Sequence, residues 1–277
     1  MSWSAMPYLS QIHLYPVKSL AGFQVESWPV DKTGLRYDRK WMLIDRNGLF
    51  LSQRRLPKMA LIKTAIAGEQ LIFSTAGMAD ITVSLHSEAG EEVKVSIWHD
   101  NCSAKTSDVA VDDWFSRALD HPCRLVYHPD EEVRKVDPDY AFESDETAFS
   151  DGFPFLIVSE ASLQALNDAM QLELEMIRFR PNLVIADCDS YAEDRWRQIS
   201  IDGIGFRLPK PCSRCSVPTI DPETALSGKE PLTTLARLRQ WQNKVYFGQN
   251  ALHDNQGVLS VGSSVIVRQS GKPQPPL

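Results

Sequence analysis

The chain contains 277 residues, of which 43% are hydrophobic and 23% are charged, so it is long enough for one large domain or two of ordinary size. Its net charge of −7 argues against general nucleic-acid binding, and it has no apolar run of the ~18 residues that a membrane-spanning helix needs. The N-terminus lacks the pattern of an export signal and the five cysteines are an odd number, which together favour a cytoplasmic protein with no nucleic-acid or membrane partner.

The first half of the chain has the pattern of a small β-barrel or β-sandwich. Short apolar segments follow one another at intervals of about ten residues, with glycine-containing turns between them. Asn47-Gly48 lies between two such segments and is the strongest hairpin signal in the chain. A helix is predicted over 108–119, where Val111, Trp114 and Phe115 share one apolar stripe. The predicted strands are 9–15, 23–30, 41–45, 50–52 as the return strand of the Asn47-Gly48 hairpin, 61–66, 70–74, 81–85 and 93–98.

Charged and turn-forming residues dominate the segment 129–147. Such a composition is typical of a loop, and we interpret the segment as a long exposed connector. It places the boundary between a first domain, 1–125, and a second domain, 126–270. The proline-rich residues 271–277 are predicted to form a flexible tail.

The second half of the chain mixes strands with a few helices. Ser159 is a suitable N-cap for a helix that runs to about residue 171, and Pro231 marks the start of another that includes residue 238. Asp202-Gly203 is the predicted turn of a hairpin over 196–208. The other predicted strands are 153–158, 182–186, 245–247, 251–252 and 258–267. The predicted fold class is therefore mixed α/β and mainly β.

The motif Cys212-Ser213-Arg214-Cys215 has the strongest chemical character in the chain. The prolines around it rule out a continuous helix, and a thiol held beside a guanidinium is biased toward the reactive thiolate. Three other interpretations remain open: a structural zinc half-site, a thioredoxin-type redox pair and two inert cysteines. Zinc needs about four ligands, yet no second Cys-x-x-Cys occurs, and a redox pair would be expected to begin a helix. A single functional thiolate is the hypothesis we favour.

Six short motifs occur in the order found in one known family. The chain resembles the molybdenum cofactor sulfurase C-terminal (MOSC) domain proteins, in particular the amidoxime-reducing members that carry an N-terminal MOSC β-barrel domain. The resemblance covers nearly the whole chain and implies a small N-terminal β-barrel-like domain followed by a MOSC β-barrel domain with a few flanking helices. The motifs are Tyr15-Pro16-Val17-Lys18-Ser19, Asp38-Arg39-Lys40-Trp41, Asp151-Gly152-Phe153-Pro154-Phe155, Phe179-Arg180-Pro181-Asn182, Cys212-Ser213-Arg214-Cys215 and Phe247-Gly248-Gln249-Asn250.

The resemblance implies a molybdenum cofactor, molybdopterin, in a cleft between the two halves of the chain. Cys215 would be the protein thiolate on the molybdenum, and Asp151 would lie near the metal as a proton donor or a water-orienting group. Gly152-Phe153 departs from the Thr-Ser of animal members, so those two contacts are not carried over. The residues implied in cofactor binding are Lys18, Ser19, Arg39, Arg180, Asn182, Ser213, Arg214 and Cys215.

The activity implied is a molybdenum-dependent reduction of N-hydroxylated compounds such as amidoximes, hydroxylamines and N-hydroxylated bases. The sequence shows no iron–sulfur motif, no C-terminal ferredoxin domain and no flavin or nicotinamide fingerprint. A separate ferredoxin- or cytochrome-like donor with its own reductase is therefore the expected partner. Two alternatives are a sulfur or cofactor carrier that uses Cys215 without turnover, and a non-enzymatic binding module whose cysteines are inert.

Overall fold

In the computed structural model, which describes residues 6–86 and 90–275, most regular structure is β-strand. The strands form four sheets, and three α-helices pack against them within the described ranges. The strands are β1 (Tyr8–Leu14), β2 (Phe23–Val25), β3 (Ser27–Asp31), β4 (Gly34–Leu35), β5 (Trp41–Ile44), β6 (Lys63–Ala67), β7 (Gln70–Ser74), β8 (Ile81–Ser84), β9 (Glu92–Ile97), β10 (Asp100–Thr106), β11 (Arg124–Tyr127), β12 (Phe155–Ser159), β13 (Leu183–Ala186), β14 (Trp196–Ile201), β15 (Ile204–Ser213), β16 (Gln240–Trp241), β17 (Lys244–His253), β18 (Gly257–Ser260) and β19 (Ile266–Ser270). The helices are α1 (Val109–Leu119), α2 (Glu160–Met170) and α3 (Leu232–Leu238). The mixed α/β, mainly β fold predicted from the sequence is confirmed.

Two small sheets and α1 enclose the core of the first half. One sheet has the strand order β5-β11-β10-β9 and the other β6-β7-β8. The apolar stripe of α1 inserts Trp114 and Phe115 beside Phe73, with the ring centroids of Phe73 and Phe115 4.9 Å apart. Trp41, fully buried in β5, belongs to the same cluster. This core holds β5 rigidly, and the backbone N–H of Lys18 donates to the carbonyl of Trp41 at 2.8 Å.

A nine-stranded sheet dominates the second half, and the N-terminal strands complete it. Its order is β19-β14-β15-β17-β12-β13-β1-β2, with β16 paired to β17. Strand β1 pairs antiparallel with β13, with Ile12 opposite Leu183, and both side chains are buried in one core. The first two strands of the chain therefore belong to the large sheet, and the smaller sheets are formed by the residues that follow them. The division at residues 125 and 126 stays our proposal for the domain boundary.

The structure differs from the sequence prediction where tertiary pairing decides the backbone. The segment predicted as one strand over 23–30 forms β2 and β3, which belong to different sheets. Strands β10 and β11 were not predicted, because Asp100–Thr106 is largely polar and Arg124–Tyr127 is short. Likewise, the strand predicted over 258–267 is split into β18 and β19.

The prediction that 129–147 is an exposed connector is wrong in part. Arg134 and Val136 are buried, and so are residues 145–150. Arg134 donates to the carbonyls of Ala148 and Ser150 and pairs with Asp100. A buried guanidinium with these partners draws the segment into the fold, because its charge must be neutralised and its donors filled.

The described part of the C-terminal tail lies against the second half. The backbone N–H groups of Gly271 and Gln274 donate to the carbonyls of Arg195 and Asp194. Residues 276–277 of the predicted flexible tail and residues 1–5 of the predicted first domain lie outside the described residues. Of the helices in 6–86 and 90–275, none has both the length and the apolar character to cross a membrane.

Two glycines with the same backbone conformation allow a test of the packing between β17 and β12. Gly248 and Gly203 both have φ of +77°. A Cβ on Gly248 would lie 2.7 Å from Val158 Cγ2 and 2.9 Å from the carbonyl oxygen of Ile157, whereas a Cβ on Gly203 would meet nothing within 4 Å. We expect Gly203→Ala to lower the free energy of unfolding by about 1 kcal/mol through backbone strain alone. Gly248→Ala should cost about 1–3 kcal/mol more because of overpacking. Urea unfolding of both variants measures the difference, and equal losses would contradict the packing described.

Candidate functional site

All nine residues implicated by the resemblance line one cleft between the two halves of the chain. The cleft has a volume of about 860 Å³, including its open mouth. Lys18 and Ser19 follow β1, and Arg39 lies just before β5, whereas the other residues come from the second half of the chain. The complete set is Lys18, Ser19, Arg39, Asp151, Arg180, Asn182, Ser213, Arg214 and Cys215. The fold thus brings the predicted residues together, and their individual roles stay predictions.

Three cleft residues other than glycine have a left-handed backbone. The φ angles are 68° at Ser19, 49° at Arg39 and 56° at Arg180. A hydrogen bond holds each turn: Arg39 N–H donates to Tyr15 O, Arg180 N–H donates to Ile177 O, and Ser19 O accepts from the side chain of Gln53. Such conformations cost about 1–3 kcal/mol each and persist where the surrounding fold enforces them, as at binding sites.

At the back of the cleft, two arginines and one aspartate surround Tyr15. The guanidinium carbons of Arg39 and Arg180 lie 4.4 and 4.2 Å from the centre of the Tyr15 ring. Arg39 Nη1 donates to Asp38 Oδ2 at 2.5 Å, and Asp38 Oδ1 accepts from the backbone N–H of Tyr15. Burial and the charge of Arg39 lower the pKa of Arg180 to about 10, so Arg180 remains a cation at neutral pH. The back of the cleft is therefore a cationic wall.

Two donors in this wall lack a partner among the described residues. They are Arg180 Nη2 and Arg214 Nε, and both atoms are buried. Another nitrogen of each group is engaged: Arg180 Nη1 donates to Leu20 O at 2.6 Å, and Arg214 Nη2 donates to Phe179 O at 2.7 Å. A buried charged donor without an acceptor costs more than a neutral one, so the cleft gains from an anion. Guanidinium groups match phosphate geometry, and the cleft therefore fits a ligand that ends in a phosphate.

Lys18 and Asp151 form an ion pair at the front of the cleft. Lys18 Nζ donates to Asp151 Oδ1 at 2.6 Å and to the carbonyl of Phe149 at 2.8 Å. Burial lowers the pKa of Lys18, and Asp151 opposes that shift. Burial would raise the pKa of Asp151, but the charge and hydrogen bond of Lys18 outweigh it and hold the pKa below the usual range. An ionised Asp151 is suited to accept a hydrogen bond or orient water, and is a poor proton donor.

The cysteine motif forms the end of β15 and the turn that follows it. The backbone N–H of Arg214 donates to Val245 O, and Arg214 Nη1 contacts Cys212 Sγ at 3.1 Å. Burial raises the pKa of Cys212, and Arg214 opposes the shift. Both thiols are free and line the cleft. Across 6–86 and 90–275, no group of three or more His, Cys, Asp and Glu side chains is arranged to hold a metal ion.

Asn182 lines the cleft, but its side chain serves the backbone. Its Oδ1 accepts from Leu156 N–H at 3.2 Å, and its Nδ2 donates to His13 O at 3.4 Å. This amide therefore connects β12 to β1 behind the cleft, which positions the neighbouring Arg180.

Sequence reasoning missed several residues at the mouth of the cleft. Phe50 and Arg54 line it, and Trp98 touches both of them and also Asp151. The Arg54-Arg55 pair and Trp98 are visible in the sequence, but the turn that carries Trp98 was not predicted because β10 was missed, and nothing local connects these residues to the cysteine motif.

Comparison with known proteins gives concordant matches over both halves. A model of the MOSC N-terminal beta barrel domain matches residues 6–122, and one of the MOSC domain matches residues 144–266. Human mitochondrial amidoxime-reducing component 1 is 34% identical, over 94% of this chain and 82% of that protein. Molybdenum cofactor sulfurase from Solanum lycopersicum is 32% identical over 95% of this chain, which spans 36% of the sulfurase. The solved structure of the YUAD protein from Bacillus subtilis aligns over 94% of both chains, with 10% identity and a TM-score of 0.45.

The unpaired guanidinium donors predict that a phosphate-type anion stabilises the protein when no larger ligand is present. Pyrophosphate at about ten times its Kd would add about 1.4 kcal/mol and raise the Tm by roughly 3 °C relative to sodium chloride of equal ionic strength. Arg180→Gln and Arg214→Gln should lose this shift. Arg36→Gln should keep it, because Arg36 is paired with Asp31 away from the cleft. A shift of the same size in Arg180→Gln would place the anion elsewhere.

Proposed function

The chain belongs to the family of MOSC-domain proteins with an N-terminal β-barrel domain, and we propose that it is a molybdenum-cofactor oxidoreductase that reduces N-hydroxylated compounds. The relatives connect the chain with the molybdenum cofactor in general, through an amidoxime-reducing component and several cofactor sulfurases. The main support for the proposal is the composition of the cleft. A preformed cationic cleft with two buried, unpaired guanidinium donors also exposes the thiol of Cys215.

The residues of the cleft divide naturally between the two ends of a molybdopterin. Arg180 and Arg214 would bind the phosphate through their free N–H groups, and Arg39 would add charge beside them. Ser19 and Ser213 would contribute short polar contacts. Cys215 would supply the protein thiolate, the soft ligand that a molybdenum centre accepts from a protein. The bound cofactor would supply the two-electron oxo-transfer chemistry that no side chain can provide.

The polar groups of the chain would handle protons and water. Reduction of an N-hydroxyl group consumes two electrons and two protons, breaks the N–O bond and releases water, so the oxygen must be held and protonated before it leaves. Asp151, kept ionised by Lys18, would accept a hydrogen bond from the N–O–H group or from the departing water. Lys18 would hold that carboxylate in place, because its ammonium is also fixed by Phe149 O. Arg134, bonded to the carbonyls of Ala148 and Ser150, would hold the loop before Asp151 in place.

A carrier without turnover is the second candidate. The similarity to the cofactor sulfurases is the observation behind it, and the chain spans only about a third of the length of each of those proteins. A carrier would bind molybdenum or a persulfide at Cys215, yet the metal would not change oxidation state with any N-hydroxylated compound. Anaerobic mixing of the reduced protein with benzamidoxime separates the two: formation of benzamidine supports the reductase, whereas a metal that stays reduced supports the carrier.

The two thiols should differ in their effect on molybdenum. In protein from a host that makes the cofactor, we expect Cys215→Ala to abolish turnover and to lower the molybdenum content, since a methyl group cannot replace a sulfur ligand. Changes one shell away from a metal typically cost about 10–100-fold in affinity or activity, so the loss at Cys215 should be at least as large. Cys212→Ala should be milder, because Cys212 contacts Arg214 and packs against the core near Phe247. Equal losses of molybdenum in both variants would favour a two-thiol site.

The electrons should come from a separate protein. We expect the cofactor-loaded protein to reduce a model amidoxime with a reduced viologen, and to be inactive with NADH or NADPH alone. A ferredoxin- or cytochrome-like donor with its reductase should restore NADH-driven turnover. Steady turnover of the isolated chain with NADH would reveal a flavin or nicotinamide site and overturn this part of the proposal.

A further inference from the structure

Aromatic residues lie beside the cleft next to Asp151, outside the set implicated in cofactor binding. Trp98 lies outside the cationic part of the cleft and contacts three residues that line it. Its ring centroid is 5.0 Å from that of Phe50, the Arg54 guanidinium lies 4.2 Å from its ring, and its Nε1 donates to Asp151 Oδ1 at 3.1 Å. Trp98 belongs to the first half of the chain, while Asp151 precedes β12 in the second. The contact therefore joins the two halves directly at the candidate catalytic carboxylate.

Two features of Trp98 are unusual for a residue without a binding role. Its backbone is left-handed, with φ of 57°, in the two-residue turn between β9 and β10. A bulky side chain rarely adopts that conformation. The side chain also remains 46% exposed, so the free energy gained from its burial does not offset the backbone strain. An exposed indole held in a strained turn is a ready surface for stacking.

A second group of rings includes Phe153, which follows Asp151 by two residues in the chain. Phe153 lines the cleft and packs edge-on against Tyr140, with centroids 6.3 Å apart. Lys210 Nζ lies 4.0 Å from the Tyr140 ring centre. A Cβ placed on Gly152, the residue between Asp151 and Phe153, would meet no atom within 4 Å outside its chain neighbours. Open space therefore lies over the residue next to Asp151.

We propose that Trp98, with the space over Gly152, is the specificity-determining part of the substrate site and selects N-hydroxylated compounds attached to a flat aromatic ring. This inference rests on the proposed reductase function and concerns which substrates it accepts. A planar ring would stack on the indole while its N-hydroxyl group reaches Asp151. A small aliphatic compound would reach Asp151 without that contact. The Arg54 guanidinium on the indole would keep the ring electron-poor and its orientation fixed.

The test compares benzamidoxime with acetamidoxime, which share the reacting group and differ in the ring. The ratio of their kcat/KM values is measured with a reduced viologen donor, and their Kd values are measured by calorimetry without a donor. Trp98→Ala should lower the preference for benzamidoxime about tenfold in both measurements, the effect of one stacked ring. Trp98→Phe should retain most of the preference, although it loses the hydrogen bond to Asp151. Gly152→Val should weaken benzamidoxime selectively, because it fills the open space.

The matched control is Phe142→Ala. Phe142 is an exposed ring that packs on Arg207 and lies outside the cleft, so its loss should change neither ratio. An unchanged preference in Trp98→Ala, or an equal loss for both compounds, would overturn the inference. A fall in molybdenum content in Trp98→Ala would also overturn it, because Trp98 would then act through the cofactor. Failure of the wild-type protein to reduce either compound would instead refute the proposed function, while the binding ratios would still decide the role of Trp98.

Discussion

The structure depends on two guanidinium groups, Arg39 and Arg180, held against one tyrosine ring. Like charges at this separation repel, and burial removes the water that would screen them. Asp38 offsets one of the charges, and the backbone carbonyls of Leu20 and Arg180 accept further bonds. An anion in the cleft would reduce the remaining repulsion between the two guanidinium groups. We therefore propose that the back of the cleft binds an anionic ligand, whose binding would offset an electrostatic cost already present in the folded protein.

The topology brings the charged groups of the cleft together. Strand β1 lies beside β13 in the large sheet, so the turn after β1 delivers Lys18 and Ser19 to the edge where Arg180 emerges. Bonds from Lys18 and Arg39 to β5 and to the end of β1 then fix the smaller sheets against the large one. Two halves with separate cores share one site because each half supplies part of its wall. A change that loosened either core would move charged groups within the cleft.

Local patterns in the sequence predicted much of the fold. Most strands, the helix α1 and the Ser159 N-cap of α2, whose hydroxyl accepts from Ser162 N–H, follow from hydrophobic spacing and capping chemistry. The strands β10 and β11 did not, since partners distant in sequence determine them. The site divides in the same way. Its cations and thiol were identified by resemblance, but the left-handed turns, the bonds of Asp38 to Arg39 and Tyr15, and the contact of Trp98 with Asp151 depend on the folded backbone and on residues distant in sequence. The spacing of residues along the sequence does not reveal such contacts.

We propose that the cleft holds a molybdenum cofactor through Cys215 and the cationic wall. The most direct measurement is a crystal structure of protein from a cofactor-competent host, with anomalous scattering data collected on both sides of the molybdenum absorption edge. We expect one molybdenum peak in the cleft, bonded to Cys215 Sγ, and a phosphate on Arg180 and Arg214. A molybdenum peak away from Cys215, or a phosphate that contacts neither arginine in a fully loaded protein, would contradict it.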